Sequence, residues 1–134
     1  MLKIKRSIIY HDNGNIEREY WHKEGNGSYW HREDGPAIIT YHDTGELYDE
    51  EWWVDNKLHR IDGPAFIRYY LSGEKKHEEW WVDNKIHRID GPACIYYNND
   101  GTIWLETYHI NGEELTKREW EEYLIKEAMK EALE

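Results

Sequence analysis

Three copies of His-Arg-x-Asp-Gly-Pro-Ala, at 31–37, 59–65 and 87–93, set an imidazole beside a guanidinium and a carboxylate two residues further on. Chemically this is an anion-binding set. Arg60 and Arg88, with Arg32, can take a carboxylate or a phosphate through paired N–H donors, and His31, His59 and His87 add further donors. The same residues can instead build a corner: Asp34, Asp62 and Asp90 accept turn N–H groups or pair with arginine, glycine supplies positive φ, and proline fixes the bend. A residue required in every copy is more often required to make the copy, so a structural ladder is the stronger expectation.

Other chemistries find less support. Eight histidines raise the question of a metal, but no two stand at His-x-His or His-x-x-x-His spacing. Equivalent histidines on strands two or three apart would lie roughly 10–14 Å from one another, too far for one ion. No metal site and no cofactor are expected. Cys94 is the only cysteine, which excludes an intrachain disulfide, fits a reducing compartment and reads as a small buried hydrophobe. Ser7, Ser28 and Ser72 are the available serines, and none sits in a Gly-x-Ser-x-Gly elbow. A phosphate loop and a dinucleotide fingerprint are also missing. Glu50/Glu51 with Glu78/Glu79 are the obvious acid/base pairs, yet adjacent carboxylates on strands usually solvate an outer face. The expectation is a protein that is not an enzyme.

The elements that carry these residues follow from a 28-residue period. Asp-Gly-Pro-Ala recurs at 34–37, 62–65 and 90–93, Trp-Trp-Val-Asp-Asn-Lys at 52–57 and 80–85, and a turn glycine at Gly45, Gly73 and Gly101. Aromatic and β-branched runs between Gly, Asn, Asp and Pro punctuation predict antiparallel strands, roughly nine to eleven of them. Alternation then assigns faces. Ile8/Tyr10, Ile39/Tyr41, Ile67/Tyr69 and Ile95/Tyr97, preceded by Ala37, Ala65 and Ala93, mark a packed face, joined by Trp21, Trp52, Trp80 and Tyr108. Trp53 and Trp81 must point the other way, with His22, His109, Glu51 and Glu79, beside Phe66, Arg68 and Tyr96. Exposed aromatic and arginine clusters of this kind are what binding hot spots are made of.

At 134 residues the chain suffices for one domain or one short array. Lys and Arg number 17 against 28 Asp and Glu, a net charge of −11, which argues against a general nucleic-acid binder. Apolar residues make up 39%, below the roughly 45–50% of ordinary domains, and the deficit is met by eight Trp and eleven Tyr. Such a core is built from rings with a polar edge that each want a partner. A signal peptide and a membrane span are not expected, so the reading is soluble and cytoplasmic. Units at about 8–36, 37–64, 65–92 and a degenerate 93–115 form a β-repeat array over 1–115, the first unit with extra residues near Gly25 to Ser28 and the atypical ends meeting water. Thr116-Lys117-Arg118-Glu119 then opens a capping helix over 116–134. Its stripe of Trp120, Leu124, Ala128 and Ala132, with Ile125, Met129 and Leu133 beside it, must be buried against the sheet or the last unit, or in a homodimer.

The long pattern Trp-Trp-Val-Asp-Asn-Lys-Leu-His-Arg-Ile-Asp-Gly-Pro-Ala at 52–65, with its copy at 80–93, resembles the MORN-like β-hairpin repeats, specifically the His-Arg-x-Asp-Gly-Pro-Ala repeat proteins of large phages and giant viruses. Asn56 and Asn84 stand where that family usually has glycine, and Leu115-Thr116 replaces the last His-Arg. The resemblance implies an antiparallel repeat sheet, a viral origin and a binding or scaffold role without catalysis. The expected function is inhibition of a host defence factor in the host cytoplasm, with Trp53, Trp81, Arg68 and Tyr96 as contacts and a basic protein patch as target. A nucleotide sponge, stacking a base on Trp53 or Trp81 and holding phosphates with Arg60, Arg88 or Arg68, is the second expectation, and a structural repeat protein the third.

Overall fold

The computed structural model describes residues 3–25 and 29–134. The extra residues read near Gly25 to Ser28 therefore fall, apart from Gly25, outside the described residues. Fourteen strands and one helix occur among the described residues: β1 (Ile4–Tyr10), β2 (Ile16–Lys23), β3 (Tyr29–Trp30), β4 (Ile38–Tyr41), β5 (Leu47–Glu51), β6 (Trp53–Val54), β7 (Lys57–Leu58), β8 (Phe66–Tyr69), β9 (Lys75–Glu79), β10 (Trp81–Val82), β11 (Lys85–Ile86), β12 (Cys94–Tyr97), β13 (Ile103–Ile110), β14 (Glu113–Leu115) and α1 (Lys117–Leu133). Ten strands form one antiparallel sheet in the order β1-β2-β4-β5-β8-β9-β12-β13-β14, with β3 on β2. The pairs β6–β7 and β10–β11 are separate two-stranded ribbons.

The ribbons exist because the Trp-Trp-Val segments serve two partners. Trp52 donates its N–H to Ala65 O across the main sheet, and its own carbonyl receives the N–H of His59. Asp55 and Asn56 (φ 49° and 63°), like Asp83 and Asn84 (47° and 67°), are both left-handed, the geometry of a two-residue hairpin turn. Asparagine tolerates that region through local side-chain bonding, so it can stand where glycine was expected.

One face of the main sheet is built from isoleucines alternating with glutamates. Across the registers Ile39 lies between Glu19 and Glu50, Ile67 between Glu50 and Glu78, and Ile95 between Glu78 and Glu106. Ala37, Ala65 and Ala93 are fully buried, Ile67 and Ile95 nearly so, whereas Tyr10, on the edge strand, is 58% exposed and outside this packing. The carboxylates are satisfied by tyrosines of neighbouring strands: Tyr41, Tyr69 and Tyr97 donate to Glu19, Glu50 and Glu78. Burial, with Glu19 beside it, pushes the Tyr41 hydroxyl up to about 12; burial and their own glutamates push Tyr69 and Tyr97 further above the ordinary tyrosine range. The folded state thus holds these protons more tightly than an unfolded chain, whose tyrosines titrate near about 10. Their stabilisation is complete below about pH 10, declines as pH rises from there, and is lost as pH passes each tyrosine's raised value, about 12 for Tyr41 and higher for the other two. Urea midpoints measured in pH steps should fall over this window together with the rise of tyrosinate absorbance; an unchanged midpoint at pH 12 would refute the arrangement.

The three Asp-Gly-Pro corners stand on the same side. Arg32, Arg60 and Arg88 lay their guanidinium groups over Trp21, Trp52 and Trp80 at 3.8, 4.0 and 3.8 Å. Each donates from Nε to the aspartate two residues on and from Nη1 to the proline carbonyl. The glycine of the motif is not there for positive φ, as the sequence reading supposed. A Cβ on Gly63 would stand 2.8 Å from Arg60 Cζ, so glycine is the residue that lets the guanidinium lie flat between the backbone and the ring. The histidines reach forward: His31, His59 and His87 accept at Nδ1 from the backbone N–H of Asp55, Asp83 and Asn111, each 24 residues on. Each corner therefore clasps the hairpin that follows it.

Helix α1 ends this series. Thr116 and Glu119 form the capping box that the sequence predicts. Trp120 packs on Tyr108 at 4.8 Å and donates Nε1–H to Arg88 O, taking the place over the ring that arginine holds elsewhere. α1 packs mainly on β13 and β14 at the end of the sheet, leaving Ile125, Met129 and Leu133 exposed. The accessible surface is 8785 Å², against about 7,500 Å² for a compact protein of this mass. A single-layer sheet accounts for the excess. Among the described residues no helix is long and apolar enough to cross a membrane.

Candidate functional site

The opposite face carries the rings. Register places Tyr20 beside Ile38, Glu51 beside Phe66, Phe66 beside Glu79, and Glu79 beside Cys94; the next row holds Asp49, Arg68, His77 and Tyr96. Trp81 continues this face beyond the sheet, its Nε1–H donated to Glu79 Oε2 at 2.8 Å. Trp53 takes the corresponding place after Glu51, its indole N–H buried without an acceptor in bonding geometry. Burial, with Asp49 nearby, raises the Glu51 carboxyl above its ordinary range.

Arg68 is the organising cation of the face. Its guanidinium lies 4.7 Å from the ring centre of Tyr48 and 5.2 Å from that of Phe66, and Nη2 reaches Asp49 at 3.0 Å. Its Nε–H is buried without a partner. Next to it, His77 stacks on Tyr96 at 4.1 Å and 12°, and Tyr96 meets Trp104 at 5.4 Å. Burial lowers His77 and raises the Cys94 thiol, the latter to about 11. His22 sits at one end, bonded to Ser7 and against Tyr20 and Trp30. His109 sits at the other, bonded to Thr107 and lowered by burial.

Seven of the nine residues singled out from the sequence thus share a face: Trp53, Trp81, Phe66, Arg68, Tyr96, His22 and His109. Arg60 and Arg88 do not join them. They are on the corner side, stacked and bonded as described, lining a groove of ≈ 890 Å³ with Trp80, His87, Ile61 and Ile89. Their guanidinium groups are engaged with Trp52 and Trp80 and with the aspartates and proline carbonyls of their own corners.

Sequence reasoning missed Tyr48 and Trp104. Strict alternation puts Tyr48 in phase with Trp52, and Trp104 in phase with Tyr108, on the corner face. The registers shift between Thr40 and Tyr41 and between Tyr96 and Tyr97, and each bulge turns the extra residue to the ring face. Trp104 is 59% exposed and Leu105 beside it 41%. His77 was also passed over, although its position two residues before Glu79 placed it on this face.

The chain matches no known protein family, no curated protein and no solved structure.

Proposed function

We propose that the chain is a non-catalytic binding protein, an array of 28-residue MORN-like units over 1–115 closed by the helix, that engages a partner protein through the ring face. One observation carries this reading: Trp53, Trp81, Phe66, Arg68 and Tyr96 share a face with Tyr48 and Trp104, and α1 packs elsewhere. The polar residues that recur in every corner are spent on holding the fold, whereas this face varies from unit to unit, as a surface shaped to one partner does. Trp, Tyr and Arg are the residues that dominate binding energy at protein interfaces. A sheet face broader than a cleft suits a protein partner better than a small molecule. With a net charge of −11 the partner surface is basic, and charge steers the encounter. The resemblance to phage and giant-virus repeat proteins makes the partner a host defence factor, inhibited in the host cytoplasm.

The test is capture from a host-like lysate with wild-type protein and with the Trp53→Ala/Trp81→Ala variant, followed by native mass spectrometry before and after denaturation. A stoichiometric host protein retained by the wild type and lost by the variant is the expected result, with affinity down at least about 100-fold from two lost anchors. A released small molecule absorbing at 260 nm, with no protein partner, would replace this reading by nucleotide sequestration. Equal capture by both forms would remove the ring face from the interaction.

A further inference from the structure

We propose that His77, Glu79 and Cys94 form a binding site for one zinc-class divalent cation on the ring face, with water as fourth ligand. The three side chains project from adjacent strands: His77 and Glu79 alternate on β9, and Cys94 stands directly across from Glu79 on β12. One donor atom from each side chain lies within 4.8 Å of the others. His77 Nε2 is 3.3 Å from Glu79 Oε1 and 3.8 Å from Cys94 Sγ. For a tetrahedral ion with bonds of about 2.0 Å to nitrogen and oxygen and about 2.3 Å to sulfur, the corresponding separations are about 3.3 Å and about 3.5 Å. Both separations from His77 are thus near the required values, and the third, between Glu79 and Cys94, is within 4.8 Å.

The donor set chooses the ion. Imidazole, thiolate and carboxylate together suit zinc and its neighbours, whereas calcium and magnesium call for oxygen alone. The surroundings orient the ligands. Trp81 Nε1–H holds Glu79 Oε2 at 2.8 Å and leaves Oε1 for the ion; Tyr96, stacked 4.1 Å from His77, fixes the imidazole plane. Arg68, across from His77, is drawn away toward Asp49. The corresponding junction between β5 and β8 carries Asp49, Glu51 and Phe66, so the donor set is particular to β9 and β12 and is not something each unit needs for folding. Histidine spacing along the chain does not reveal this set, because its members are joined by strand register, two positions on one strand and one across.

Cobalt(II) is the direct probe. The EDTA-treated full chain, titrated with cobalt chloride, should bind one ion and show the thiolate-to-cobalt charge-transfer band in the near ultraviolet. Zinc sulfate should displace the cobalt, raise the melting temperature and slow alkylation of Cys94 at least about tenfold. Cys94→Ser should abolish the band, and His77→Gln, checked for folding by circular dichroism, should weaken binding at least about tenfold. Absence of the band in the wild type, alkylation unaffected by zinc, or undiminished binding by folded His77→Gln would each overturn the site. The alkylation arm needs only the wild type, so it decides the matter even where a variant fails to fold. It is also independent of the partner, so losing one reading leaves the other standing.

Discussion

Replacing Arg60 with alanine is expected to lower the unfolding free energy by about 3 kcal/mol, with a matching fall in the urea midpoint. The change removes a guanidinium stacked on Trp52 at 4.0 Å, worth about 0.5–2 kcal/mol, and leaves the Pro64 carbonyl without its donor, about 1 kcal/mol or more. It also opens a void between the ring and Gly63. The ion pair with Asp62 adds little, because that carboxylate is 87% exposed. Arg60→Lys should recover less than half of the loss, since an ammonium keeps the charge but not the plane that fits between ring and backbone. A loss below about 0.5 kcal/mol in Arg60→Ala would mean that the corners decorate the sheet and do not hold it.

The second large effect is expected at Glu78, which is 4% exposed between Ile67 and Ile95. It accepts from the Tyr97 hydroxyl and from Lys75 Nζ. Glu78→Ala should cost about 3 kcal/mol, through a cavity in the packed row and a stranded tyrosine hydroxyl. Glu78→Gln keeps the volume and an acceptor and should cost about 1 kcal/mol. Glu78→Leu combined with Tyr97→Phe removes both polar partners together and should regain most of the loss, as apolar replacement of a buried polar pair does. Denaturant unfolding of the three forms checks the order; an alanine variant as stable as wild type would show that the carboxylate is not part of the packing.

These two residues illustrate what could be read from the sequence and what could not. Antiparallel strands, the capped C-terminal helix and the sidedness of Trp52 against Trp53 follow from period, turn residues and alternation, all local signals. The role of Gly63 did not follow, because the reason for it is an arginine side chain folded back from three residues earlier, and a sequence shows only that the glycine recurs. The partner of Glu78 is equally hidden: Tyr97 lies 19 residues away, and only strand register brings them together. Tyr48 and Trp104 changed sides through bulges, which strict alternation cannot register. The helix stripe was legible as apolar, but only Trp120 and its near neighbours found the sheet, and Ile125, Met129 and Leu133 stay in solvent.

The proposed binding role requires a division of labour, in which the corner face holds the fold and the ring face is left for a partner. Urea unfolding of Trp53→Ala/Trp81→Ala beside Arg60→Ala/Arg88→Ala tests it most directly. The predicted result is a cooperative transition for the tryptophan pair with well under half the midpoint loss of the arginine pair. If the tryptophan pair unfolds as readily as the arginine pair, the rings are a second core layer and the ring face is not a recognition surface.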